Sequence, residues 1–270
     1  MTILSAPGDV RHSSRTDVVL MSTAALVTAA VVTITVHELS HVVANLAYGT
    51  AAELRPNAAR AVDPLAAGQQ AVVAMTGPLA SMAIGAAGYA VQRRLRPGYG
   101  RLLLLWVALT SAQTGFGYLL VAGALPAGDT GKAFEIWGVP AVGYVAAAVV
   151  GVCGQLFLSA LMAREVAPWF AGAVDLRSWV MLPWLFGTLV LLAVYTVASL
   201  GTFSAEELVA LLAGVATVAI FAPTTSIFIR RFPVGTGGLD LGSPGRALAG
   251  AAAAVAVVAV LALSGGVTIG

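Results

Sequence analysis

Long stretches of the chain run for some twenty residues with almost no charged side chain, and the polar residues gather between them. Seven such runs can be marked, near Val18–Tyr48, Gly68–Gln92, Leu102–Leu125, Val139–Ala163, Trp179–Leu200, Glu206–Ile229 and Ala247–Gly265. A helix rises about 1.5 Å per residue, so about 20 residues cross a hydrocarbon layer about 30 Å thick with every backbone hydrogen bond made internally. The pattern predicts an all-α polytopic transmembrane helix bundle of about seven spans, with the lipid bilayer as its solvent. The first run exceeds the length of a signal peptide's hydrophobic region and is read as a retained helix. Residues 1–17 form a polar N-terminal tail, 18–135 a core of three spans, and 136–270 about four further spans, with no room for a soluble domain.

Composition agrees with the pattern. The 270 residues are 59% hydrophobic and 10% charged, against about 25% charged in ordinary soluble domains. A formal net charge of +2 is too small to suggest nucleic acid. The single cysteine, Cys153, excludes an internal disulfide and a cysteine-rich metal site.

The positive charges choose a side. Seven spans place Arg11, Arg15, Arg93, Arg94, Arg96, Arg101, Arg164, Arg177, Arg230, Arg231 and Arg246 on one side, eleven of the fourteen Lys and Arg residues. Arg55, Arg60 and Lys132 remain for the other. Cytoplasmic loops collect positive charge, so the expectation is an integral protein of the cell membrane with its N-terminus in the cytoplasm and its C-terminus outside. The glycines of Gly85-Ala-Ala-Gly88 suit close helix packing.

The first apolar run contains the stretch His37-Glu38-Leu39-Ser40-His41. Histidines at i and i+4 lie on one helix face and can share a metal ion, while the intervening glutamate can take a proton from the water that the metal activates. As plain packing, such a carboxylate within a membrane span costs about 2.5–3.5 kcal/mol, which favours a functional role. A catalytic zinc site takes three protein ligands and keeps one open position. The remaining histidine, His12, lies in the polar tail, so a carboxylate is the natural third ligand. Asp129, in the turn Pro126-Ala-Gly-Asp-Thr-Gly131, follows the third span on the side where His37 should emerge, about 28 Å along the first helix. Its alternative role is a turn or helix-capping residue, and Glu53, Asp63 and Glu135 are further acids on that side. Glu165, Asp175, Glu206 and Glu207 read as loop or helix-start residues.

From Val31 to Ala133 the chain resembles the site-2 protease family of intramembrane zinc metalloproteases. The resemblance rests on His37 to His41 in an early apolar helix, on Gly77-Pro78-Leu79-Ala80-Ser81 in the next span, and on Asp129 within Gly-Asp-Thr-Gly. It implies one zinc ion held by His37, His41 and Asp129, with Glu38 as the base in peptide-bond hydrolysis. The sequence also departs from the family. Val121 and Ala124 stand where its Asn and first Pro are expected, Thr130 follows the aspartate, and Ser81 replaces an Asn after the Gly-Pro step. The family's site opens toward the cytoplasm, whereas the arginines put this one near the outer face. Gln113, Tyr118 and Lys132 are candidate substrate-binding donors for a developing oxyanion. The expected activity is that of a membrane metalloprotease acting on a membrane-protein substrate. The alternatives are a membrane metalloenzyme acting on a small or lipid-like molecule, and a metal carrier using the same histidines.

Overall fold

In a computed structural model of the protein, residues 13–124, 127–171, 174–200, 214–215, 217–235 and 239–270 are described. Helix α1 (Arg15–Ala47) begins where Ser14 accepts from the Asp17 backbone N–H and Asp17 returns the bond, a reciprocal cap that fixes the start of a 33-residue helix. After it come strands β1 (Ala52–Arg55) and β2 (Ala58–Ala61), helices α2 (Ala67–Gln92), α3 (Tyr99–Ala124), α4 (Gly128–Ile136), α5 (Ala141–Val166), α6 (Leu182–Ser199), α7 (Phe221–Phe228) and α8 (Pro244–Leu263), and strand β3 (Val267–Ile269). Among the described residues, six helical stretches are long and apolar enough to cross a membrane: Arg15–Ala47, Ala67–Gln92, Tyr99–Ala124, Ala141–Trp169, Arg177–Ser199 and Pro244–Leu263. The protein is thus an all-α integral membrane protein with one small sheet. The expected sixth run, Glu206–Ile229, lies partly outside the described residues, as do His12, Arg11, Pro126, Glu206 and Glu207.

Helix α1 is the axis of the bundle. More than half of it is buried, and α2, α3, α6 and α8 all pack against it. Side-chain size sets how closely the helices approach. A Cβ at Gly85 of α2 would lie 2.6 Å from the Ala112 backbone nitrogen of α3, and one at Gly151 of α5 would lie 2.6 Å from the Leu120 nitrogen. Small residues at these crossings let backbones touch, the usual way to gain packing energy where lipid removes the hydrophobic drive. Several buried polar groups are paired across helices. Ser22 of α1 donates to the Trp179 carbonyl at 2.8 Å and accepts from Trp106 Nε1 at 3.0 Å, and Thr33 meets Ser111 at 2.8 Å and Thr110 at 3.1 Å.

The strands form a sheet of order β2-β1-β3, antiparallel throughout. Pairing of β3 with β1 ties the last residues of the chain to the hairpin that follows α1, so they lie at the opposite end of the bundle from the start of α1. Helix α6 runs parallel to α1: Trp179 meets Ser22, Gly187 meets Leu26, and Tyr195 packs with Val31. Helix α8 is parallel too, with the Leu241 N–H on Ser13 Oγ at its start and Val258 beside Val31. The connection from Ser199 to Pro244 therefore returns from the hairpin end to the N-terminal end, and the described part of it includes the short helix α7. The hairpin and the C-terminal strand are the elements that hydropathy alone does not reveal.

If the α2–α3 crossing depends on a side chain being absent, Gly85→Leu will destabilise the bundle by about 1–3 kcal/mol through overpacking. Unfolding of the purified protein in detergent measures this, with Ala86→Leu on the same helix as the comparison.

Candidate metal centre

The site is assembled from four helices at the hairpin end. His37 and His41 project from one face of α1, and Asp129 comes from the first turn of α4, a nine-residue helix that follows α3. The acid expected in a loop is thus held on a helix. Asp129 Oδ2 lies 2.9 Å from His37 Nε2 and 3.3 Å from His41 Nε2, and the two Nε2 atoms are 3.3 Å apart. Ligands about 2.0–2.1 Å from a tetrahedral zinc ion are separated by about 3.3–3.4 Å. The spacing fits such an ion, and the three residues form a group able to hold a metal.

The other ring nitrogens are committed to α2. His41 Nδ1 is 2.8 Å from the Val73 carbonyl, which can only accept, so this nitrogen carries a proton and Nε2 is the ring atom turned toward His37 and Asp129. His37 Nδ1 is 3.1 Å from Ser81 Oγ. Pro78, between Val73 and Ser81, has no N–H to give to the Ala74 carbonyl, so the regular helical ladder is broken beside the histidines. Gly77 faces the same point, since a Cβ there would lie 2.5 Å from both Nε2 atoms. The Gly77-to-Ser81 step therefore supplies clearance and orientation, and Ser81 holds the far nitrogen of the His37 ring at a position where the resemblance expects Asn. Tyr118 of α3 stacks on the His37 ring, centroids 5.1 Å apart and 10° from parallel, and lines the same cavity as Asp129.

Burial by itself would raise the Asp129 carboxyl, but hydrogen bonds from His37 and His41 outweigh it and hold the group well below the ordinary carboxylate range. Asp129 is thus an anion, the form a ligand requires. Glu38, one residue along from His37, does not join the triad. It is buried and lines a cavity of about 400 Å³ together with His41, Tyr118, Asp129 and Ala59 of β2. Its position beside the triad, with access to the cavity, is what a proton-accepting group needs.

No family model matches the chain, and no curated protein or solved structure resembles it. The chemistry of the site has to be read from its own atoms.

Of the other sequence candidates, Lys132 and Asp63 border the cavity, and Asp63 is held by Thr50, whose Oγ1 accepts from its backbone N–H at 3.0 Å. Glu53 pairs with Arg55 at 3.1 Å, and Glu135 is exposed. Gln113 is not brought to the site: it donates to the Thr217 carbonyl at 3.0 Å and accepts from the Ala219 N–H at 2.6 Å, a structural brace to the connection before α7. Cys153 is exposed on α5, far in sequence from every ligand. Sequence reasoning missed the Val73 carbonyl, which no side-chain pattern can announce, and Tyr195 of α6. Tyr195 is fully buried and its hydroxyl has no partner.

His37→Ala, His41→Ala and Asp129→Ala should each abolish stoichiometric metal binding, whereas Ser81→Ala should weaken it about 10- to 100-fold, the usual effect of losing an outer-shell partner. Competition with a chelating dye, read by metal analysis of the purified proteins, checks both halves of this expectation.

Proposed function

We propose that the protein is a zinc-dependent intramembrane metalloprotease of the site-2 kind, cleaving a polypeptide in or near the bilayer with Glu38 as general base. The observation that carries the reading is the meeting, at one end of a membrane-buried bundle, of a His37–His41–Asp129 triad at tetrahedral spacing with a separate carboxylate that faces a cavity. Two imidazoles and one carboxylate suit zinc among the common metals. A zinc ion held there would lower the pKa of water toward neutrality and polarise a carbonyl.

The chain's own groups fill the remaining roles. Glu38 takes the proton of the attacking water and returns it to the departing amine, a shuttle for which its separation from the triad is suited. The Val73 carbonyl and Ser81 keep the imidazoles aimed. Tyr118, beside Asp129 at the cavity wall, is the candidate donor to a developing oxyanion, with Lys132 at the mouth.

The hairpin favours a polypeptide over a small molecule. The Val62 N–H bonds to the Ala51 carbonyl at 2.8 Å, and residues of an antiparallel strand alternate in direction. Ala59 and Ala61 consequently turn their backbone groups away from β1. Strand β2 is the outer strand of the sheet and lines the cavity. An open strand edge beside the base suits an extended peptide, which gains main-chain hydrogen bonds there. The arginine distribution supports a cytoplasmic N-terminus and a cavity toward the outer face of the cell membrane.

Glu38→Gln should retain its zinc and lose about 10²- to 10⁴-fold in cleavage of a reconstituted transmembrane peptide, the range for removing a general base. An unchanged rate in that variant would sink the mechanism. Metal-dependent turnover of a lipid or other small molecule, with no peptide cleaved, would move the site to a different substrate class.

A further inference from the structure

Two carboxamides border the cavity that the metal residues share with β2, and neither is explained by the fold. Asn45 lies seven residues beyond Glu38 on the same face of α1, in the line Glu38, His41, Asn45. Its side chain is 1% exposed, and its Oδ1 has no hydrogen-bond partner. Asn57, in the turn between β1 and β2, also lines the cavity and has an Oδ1 buried without a partner. By contrast, the third carboxamide of the cavity, Gln70, is tied to the Leu65 carbonyl at 2.8 Å.

A buried amide oxygen that meets nothing destabilises a fold relative to an apolar side chain of equal size. Buried polar groups are nearly always paired, so an unpaired one asks for a partner from outside the chain. Here two such groups, from elements far apart in structure type, border the same space. A carboxamide presents an acceptor and two donors, the complement of a peptide unit's N–H and C=O.

Spacing gives the position. Seven residues of helix separate Asn45 from Glu38 by about 10 Å along the axis. An extended chain covers that distance in about three residues, at about 3.3 Å each. We propose that Asn45 and Asn57 form a carboxamide pair that grips the backbone of an extended polypeptide about three residues from the bond that Glu38 serves. The inference rests on the proteolytic reading and adds where the substrate is held. Both residues are positioning residues, remote from the reacting atoms.

The test uses full-length zinc-loaded protein and a ladder of probes: acetohydroxamate, which engages a metal alone, and hydroxamates of apolar peptides one to four residues long. Calorimetric titration should show affinity rising roughly five- to tenfold when the third residue is added, the worth of one or two added hydrogen bonds. Asn45→Ala should remove that step, Asn57→Ala should reduce it, and both should leave acetohydroxamate binding and zinc content unchanged. Should Asn45→Ala lose zinc through misfolding, Asn57→Ala, in a turn outside the membrane spans, decides the matter. A step at the third residue that survives in zinc-replete variants overturns the pair and leaves the proteolytic reading intact. If no peptide hydroxamate binds wild-type protein more tightly than acetohydroxamate, both fall together.

Discussion

Two imidazoles and a carboxylate cannot be held together inside an apolar bundle unless each is paired and oriented, and most of what is distinctive in this protein follows from that constraint. Charge in a low-dielectric interior is costly to leave uncompensated. Helix α1 supplies both histidines within a single turn, so α2 and α4 must come to it. Gly77 is where α2 comes closest, since any Cβ there would overlap the ring nitrogens. On either side of it α2 provides the Val73 carbonyl and the Ser81 hydroxyl as second partners for the rings. Helix α4 is short because its task is local, to return Asp129 over the end of α1 after α3 has crossed. The outer helices α5, α6 and α8 then enclose this core, and α6 packs the buried Tyr195 in the cluster that holds Val27 and Val31 of α1.

Much of this was legible in the sequence because membrane helices obey few rules strictly. Run length gives the spans, the i, i+4 histidines give the face, and counting spans put Asp129 at the same end as His37 before any fold was known. The sheet was not legible. Its strands are three or four residues long, and Ala58-Ala-Arg-Ala61 has no hydrophobic alternation to read; Pro56-Asn57 was the available signal, a turn dipeptide between two short polar stretches. Pairing of β3 with β1 joins residues more than two hundred positions apart, which local pattern never reveals. Gln113 failed as a site candidate for a related reason. A buried glutamine in a span signals that a polar partner exists, but Thr217 and Ala219 could be named only from the fold.

The hairpin changes what the metal site means. Without it, the triad and Glu38 describe a hydrolytic centre with no preference among substrates. With it, an open strand edge and two unpartnered carboxamides surround the same cavity, and all of them match a polypeptide backbone. The Asn that the family resemblance places near Val121 is missing, and the asparagines that line the cavity come instead from α1 and the hairpin turn. On the proposed reading, metal chemistry and substrate recognition reside in neighbouring segments, residues 37–61, with Asp129 joining them from α4.

The central claim is that His37, His41 and Asp129 bind one zinc ion together. X-ray absorption at the zinc edge of the purified protein tests it most directly. Two imidazole nitrogens with oxygen ligands at about 2.0–2.2 Å, four ligands in all, is the predicted shell. Sulfur in the shell, six oxygens, or a spectrum without imidazole scattering would contradict it.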